Sequence, residues 1–137
     1  MKTTFDSFFS QAQKVGYVAL LSYTERSKNS VGVFRSIQNS LAVRLQVPVL
    51  LGFGPRYLHS TGQLYKGGAK NGLFLIFLTR EPRDLRIPGE VYTFGQLKRA
   101  QALGDLRALQ NKGLPVLAID LGEKWHSSLK NLERTLK

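Results

Sequence analysis

Leu73-Phe74-Leu75-Ile76-Phe77-Leu78-Thr79 is the strongest strand signal in the sequence: an unbroken apolar run that gives way to charge at Arg80. A strand apolar on both faces has to be covered on both, as in a parallel sheet packed between helices; a half-exposed strand would alternate instead. Two similar runs, Tyr17-Val18-Ala19-Leu20-Leu21-Ser22-Tyr23 and Leu114-Pro115-Val116-Leu117-Ala118-Ile119-Asp120, and the shorter Val49-Leu50-Leu51 read as three more strands. Helical patterns lie between them. The expected fold is therefore α/β, a small three-layer sandwich around a mainly parallel sheet of about four strands.

The segments around these strands obey the same logic. Residues 4–14 read as a short helix. Over 29–46, Phe34, Ile37, Leu41 and Leu45 share one helical face while Arg35, Asn39 and Arg44 lie off it, and Pro48 ends the helix. A short helix over about 56–66 stops at Gly67-Gly68. Arg80–Val91 reads as a loop, with Thr93 as N-cap of the next helix. Leu97 and Leu106, nine residues apart, fall on opposite faces of a continuous helix, and Gly104-Asp105 offers a stop and a new N-cap. Two helices are thus predicted, over about 94–103 and 105–111. A charged amphipathic helix over about 123–136 closes the chain, with Trp125 burying its ring and His126 exposed.

Composition excludes several classes. There is no Cys, hence no disulfide, thiolate nucleophile or thiolate metal site. Two His without an H-E-x-x-H pattern give no metal signal, and no cofactor is implied. The longest apolar run is far short of the roughly 20 residues that span a bilayer, and the opening Met1-Lys2-Thr3-Thr4-Phe5-Asp6 lacks the apolar stretch of a secretory signal. A small intracellular, cytoplasmic domain is expected. The 20 Lys and Arg against 9 Asp and Glu give a formal charge of +11. The excess is spread evenly: residues 1–47 hold 6 basic and 2 acidic residues, 48–92 hold 6 and 3, and 93–137 hold 8 and 4. No basic tail exists, so the charge reads either as a solvated positive surface or as the mark of an anionic partner, and does not choose among nucleic acid, acidic protein and phosphorylated metabolite.

The most informative local stretch is Leu51-Gly52-Phe53-Gly54-Pro55-Arg56-Tyr57-Leu58-His59-Ser60-Thr61-Gly62-Gln63-Leu64-Tyr65-Lys66-Gly67-Gly68. It joins the end of a strand to the start of a helix, where open α/β sheets bind ligands. Glycines there admit close approach to the backbone, and helix-start N–H groups favour an anion, although such glycines also arise for steric reasons alone. On one continuous helix, Tyr57, Thr61, Leu64 and Tyr65 would pack inward. His59, Gly62, Gln63 and Lys66 would form the opposite stripe. His59 is the acid–base candidate there, set against the commoner role of a helix His as a surface or capping residue. Arg56 is a candidate phosphate ligand. Ser60 and Thr61 either cap the backbone or touch ligand. Lys66 and Lys70 either hold an anion or lie on a solvated turn.

From Gly54 to Gly68 this stretch resembles the C-terminal glucose-6-phosphate isomerase part of bifunctional transaldolase/glucose-6-phosphate isomerases. The likeness continues through Asn71–Leu75, Ile87–Glu90, Tyr92–Lys98, Ala100–Leu106 and the last strand, and reaches back to Tyr17–Arg26, about residues 15–122 in all. It implies a sugar isomerase (SIS-type), flavodoxin-like domain over 1–137, corresponding to the C-terminal half of a phosphoglucose isomerase. It implies aldose–ketose isomerisation of a sugar phosphate, with His59, followed four residues on by Gln63, opening the sugar ring. Gly54, Arg56, Ser60, Thr61, Gln63 and Lys66 would bind the substrate. The first SIS domain, with its phosphate loop, and the motif carrying the catalytic Glu have no counterpart here. Glu25 and Glu90 are the nearest acidic residues, the C-terminal catalytic Lys is not identifiable (Lys98, near a helix start, is a candidate or else a surface lysine), and Tyr65 replaces an expected His. The resemblance thus implies a partner chain supplying the other SIS domain, or a homo-oligomer. The alternative is a non-catalytic SIS-like module binding an anionic protein or nucleic acid.

Overall fold

The computed structural model of the protein describes residues 2–136; Met1, which opens the N-terminal stretch read above for a signal, lies outside the described residues. The chain runs α1 (Lys2–Phe9), β1 (Tyr17–Ser22), α2 (Lys28–Leu45), β2 (Val49–Phe53), α3 (Thr61–Gly67), β3 (Gly72–Leu78), α4 (Phe94–Asn111), β4 (Val116–Asp120) and α5 (Trp125–Leu136), with 3-10 turns at Ser10–Lys14 and Arg56–His59. The four strands form one sheet in the order β2-β1-β3-β4, and every pairing is parallel. The α/β sandwich expected from the apolar runs is the observed architecture.

Burial in the sheet has the period of two that a strand imposes. Val18, Leu20, Leu73, Leu75 and Phe77 point to one face. There they meet Phe34, Ile37 and Leu41 of α2, Phe5 and Phe9 of α1, and Trp125, Leu129, Leu132 and Leu136 of α5. Ala19, Leu21, Phe74, Ile76 and Leu78 point to the other, against Tyr57, Tyr65, Ala102 and Leu109. All seven residues of β3 are buried, as its two-faced apolar sequence requires. Each large apolar side chain withdrawn from water contributes about 1.5–3 kcal/mol before the entropy of ordering is set against it. Helix α2 starts on a reciprocal capping box between Ser27 and Ser30 and ends at Gln46 in a left-handed conformation (φ 56°).

One helix differs from expectation. Residues 94–111 form a single α4 without a break at Gly104-Asp105. The two-helix reading required Leu97 and Leu106 both to face the core, yet Leu97 is 37% exposed. Asp105 does not cap a new helix, because its carboxylate is taken by the buried partners described below. A glycine inside a helix costs only about 1 kcal/mol, which the packing of Ala102 and Leu109 outweighs.

No helix among the described residues is long and apolar enough to cross a membrane.

Candidate functional site

The sheet order decides where a crevice can form. From β1 the chain moves outward to β2, then crosses back to β3, so the loops leaving the carboxyl ends of β1 and β3 diverge. Parallel pairing sets Ser22 beside both Phe53 and Phe77. The residues following β1, β2 and β3 therefore meet at one end of the sheet. Three groups far apart in sequence are gathered there: Thr24–Arg26, Gly54–Thr61 and Thr79–Asp84.

At the β2 end, Gly54 continues the ladder by donating its N–H to the Ser22 carbonyl (2.8 Å). A Cβ on Gly54 would lie 2.5 Å from the Tyr23 ring, so only glycine lets the backbone lie against that ring. The Gly54–Pro55 bond is cis. The predicted helix over 56–66 is two pieces, the 3-10 turn Arg56–His59 and α3, broken at Ser60. That break shifts the helical phase and changes which side chains face inward. Tyr57, Gly62 and Tyr65 are buried, whereas Thr61 is exposed and Leu64 is 68% exposed. Gly62, expected on the outer stripe, packs against Tyr57, where a Cβ would come within 2.8 Å of the Tyr57 carbonyl oxygen. With α3 only two turns long, the positive charge at this end is that of its side chains rather than of a helix dipole.

Arg56, Ser60 and Thr61 line a cavity of about 260 Å³, together with Arg26 from beyond β1, Gly52 and Tyr57. His59 is exposed, on the last residue of the 3-10 turn and directly before Ser60, but its side chain is not part of that lining. Ser60 Oγ donates to the Tyr57 carbonyl (3.3 Å). The Gln63 side-chain amide is turned back to the Leu58 carbonyl (3.2 Å). Lys66 points away from the cavity: its Nζ is 2.6 Å from Asp105 Oδ1 on α4. The predicted stripe of His59, Gly62, Gln63 and Lys66 is therefore not a common face. What converges instead is Arg56, Ser60 and Thr61 with Arg26.

Under the turn lies a buried polar network. The Tyr57 hydroxyl donates to Asp105 Oδ2 and lies 3.2 Å from the Tyr23 hydroxyl. Burial first, and then the charge of Asp105, push the Tyr57 phenol well above its ordinary value. Burial likewise pushes Tyr23 up to about 12. Both hydroxyls are held neutral, as donors and acceptors that fix the turn to β1 and α4.

A second cavity, of about 340 Å³, lies where the β1 and β3 loops diverge, between Thr24, Glu25, Glu81, Arg83, Phe94 and Lys98. Lys98 is ion-paired with Glu81 there. Asp84 accepts from the Thr93 hydroxyl and the Gly95 N–H, which hold its carboxyl below the usual range. Glu25 and Lys98 thus share a cavity that has no lining residue in common with that of Arg56, and Glu90 lines neither. Among the described residues no cluster of three or more His, Cys, Asp or Glu could hold a metal ion.

Arg26 was missed in the sequence because the pairing that carries it to Arg56 is between strands. The only signal was its place just beyond the first apolar run.

No protein-family profile matches the chain, and no curated protein matches it. Among solved structures, the hypothetical protein TT0462 from Thermus thermophilus is similar, with a TM-score of 0.81 and 20% identity over 99% of this chain. That likeness shows the α/β fold. The chain spans 37% of the length of that protein.

Proposed function

We propose that the chain is a glucose-6-phosphate isomerase-like, SIS-type domain. It would bind a sugar phosphate in the cytoplasm and contribute His59 as the ring-opening acid/base to an aldose–ketose isomerase completed by a second SIS domain. The observation that carries this reading is the gathering of Arg26, Arg56, Ser60 and Thr61 around one cavity at the carboxyl end of a parallel sheet, with His59 exposed on the same turn. Guanidinium groups bind phosphate through paired N–H donors, and hydroxyls suit the sugar. Ring opening takes a proton from the anomeric hydroxyl, breaks the bond to the ring oxygen and returns a proton to that oxygen. An imidazole does both near neutral pH. The resemblance of Gly54–Gly68 to isomerase sequences supports the same assignment.

The test is calorimetric titration of the chain with fructose 6-phosphate. Binding weakened at least tenfold by Arg56→Ala is expected, and ligand at 100 times Kd should stabilise the fold by about 2.7 kcal/mol. No heat and no thermal shift at millimolar ligand would overturn the reading. With the remaining domain supplied, glucose 6-phosphate formation in a coupled assay should be lost in His59→Ala.

One observation favours a non-catalytic module: Gln63 and Lys66 are both committed to internal partners. In that reading the charge of +11 serves an anionic macromolecule, and association would fall steeply with salt.

A further inference from the structure

The Arg56 cavity does not end at Thr61. It continues along the outer edge of β2 into a larger cavity of about 440 Å³, and the two share Arg26, Leu51, Phe53 and Thr61. The larger one adds Arg35 and Gln38 from α2 and Tyr65 from α3. Three arginines therefore line one continuous groove, and no carboxylate lines either part of it. Among the described residues none of the three is seen in an ion pair, whereas Arg44, Lys66, Arg80, Lys98 and Arg99 are. Arg26, at the junction, is stacked over the Phe53 ring at 5.9 Å, which limits its freedom before any ligand arrives.

The floor of the groove is backbone. The Pro48 carbonyl and the Gly54 N–H both bond to β1, so the alternation of the ladder turns the polar groups of Val49, Leu51 and Phe53 to the free edge. Gln38 Nε2 already donates to the Val49 carbonyl (2.5 Å). Leu51 and Phe53 remain as donors and acceptors for the neutral middle of a ligand.

We infer that this groove takes a small ligand with two phosphate groups, one at Arg56 and the other at Arg35, with Arg26 between them. The inference rests on the sugar-phosphate reading and extends it from one anionic subsite to two. Unpaired guanidinium groups held along one groove repel each other until anions neutralise them, and a single phosphate at Arg56 leaves Arg35 without a counter-charge.

The test compares fructose 6-phosphate with fructose 1,6-bisphosphate by calorimetry at constant ionic strength. The bisphosphate should bind about tenfold tighter, the increment of one further charge-assisted contact. Arg35→Ala should bring it to the affinity of the monophosphate, and Arg35→Lys should restore part of the difference. Equal affinities, or a preference that survives Arg35→Ala, would overturn the second subsite and leave the sugar-phosphate reading standing. Binding of neither sugar phosphate would overturn both. So would capture of a single-stranded oligonucleotide with a steep salt dependence and no response to either sugar.

Discussion

Lys66 Nζ sits 2.6 Å from Asp105 Oδ1, and the Tyr57 hydroxyl donates to the other oxygen of the same carboxylate. One acidic side chain on α4, itself 1% exposed, thus holds both ends of the Arg56–Gly67 segment. Removing it leaves a partly buried ammonium without its counter-ion and a buried phenol without its acceptor. Breaking a fully buried pair costs about 3–5 kcal/mol, and the 24% exposure of Lys66 lowers that figure. Asp105→Ala should cost about 2–3 kcal/mol in urea unfolding. Asp105→Asn, which keeps an acceptor for Tyr57, should cost less. A loss below about 0.5 kcal/mol for Asp105→Ala would refute the anchoring role.

Two glycines in helices should respond oppositely to alanine. At Gly62 a Cβ would meet the Tyr57 carbonyl at 2.8 Å, and backbone cannot yield as a flexible side chain does. At Gly104, inside α4, a Cβ meets nothing within 4 Å. Gly104→Ala should stabilise by about 0.5–1 kcal/mol through helix propensity. Gly62→Ala should lower Tm despite the same propensity gain. Equal shifts of one sign would contradict the packing at Gly62.

The network predicts a response to alkali. Tyr23 and Tyr57 are raised above their ordinary value of 10.0, so the fold favours the neutral phenols. Their contribution is fully present below that value and is lost as pH rises through it towards the folded values. The stability difference between the wild type and Tyr57→Phe should be largest near neutrality and shrink above about pH 10. A difference constant from neutrality to pH 11 would argue against a buried phenol at Tyr57.

Asp120 gives the opposite sign. Burial pushes its carboxyl up, but the Gly122 N–H and Arg99 outweigh that and hold it below its ordinary 3.8. Its contribution is present above the ordinary value and is lost as pH falls through the depressed one. Asp120→Asn should lower Tm at neutral pH, and the gap to the wild type should close in acid. A gap that widens in acid would reverse the assignment.

The layers and the core were legible in the sequence because each is carried by a local period. Seven consecutive buried residues in β3 and the stripe Phe34, Ile37, Leu41 are patterns that neighbouring residues display together. The site was legible in place but not in membership. Arg56, Ser60 and Thr61 follow β2 and lie together as their position suggests. The phase from His59 to Lys66 failed because one residue, Ser60, leaves the helical conformation and rotates everything after it. Ser60, a favoured helix-cap residue followed by Thr61 and Gly62, was the local hint of that break, but capping alone does not say where the phase changes. Asp105 read as a helix cap because its partners, Tyr57 and Lys66, come from a distant segment. Arg26 was out of reach for the same reason, since only the β1–β2 pairing brings it to the cavity.

The Tyr23–Tyr57–Asp105 chain also fixes an order of events. Its members come from the first strand's exit, the glycine turn and the middle of α4, so the turn is held only after the chain has closed loops of 34 and 48 residues. Closure of long loops is what slows folding in sheets of this kind. During synthesis the motif at Gly54–Gly68 emerges well before the helix that secures it. Until α4 docks, the turn that carries Arg56 lacks its anchor at Asp105. The Arg56–Gly67 segment should therefore be among the last parts of the nascent domain to take its final place, although its residues are made early.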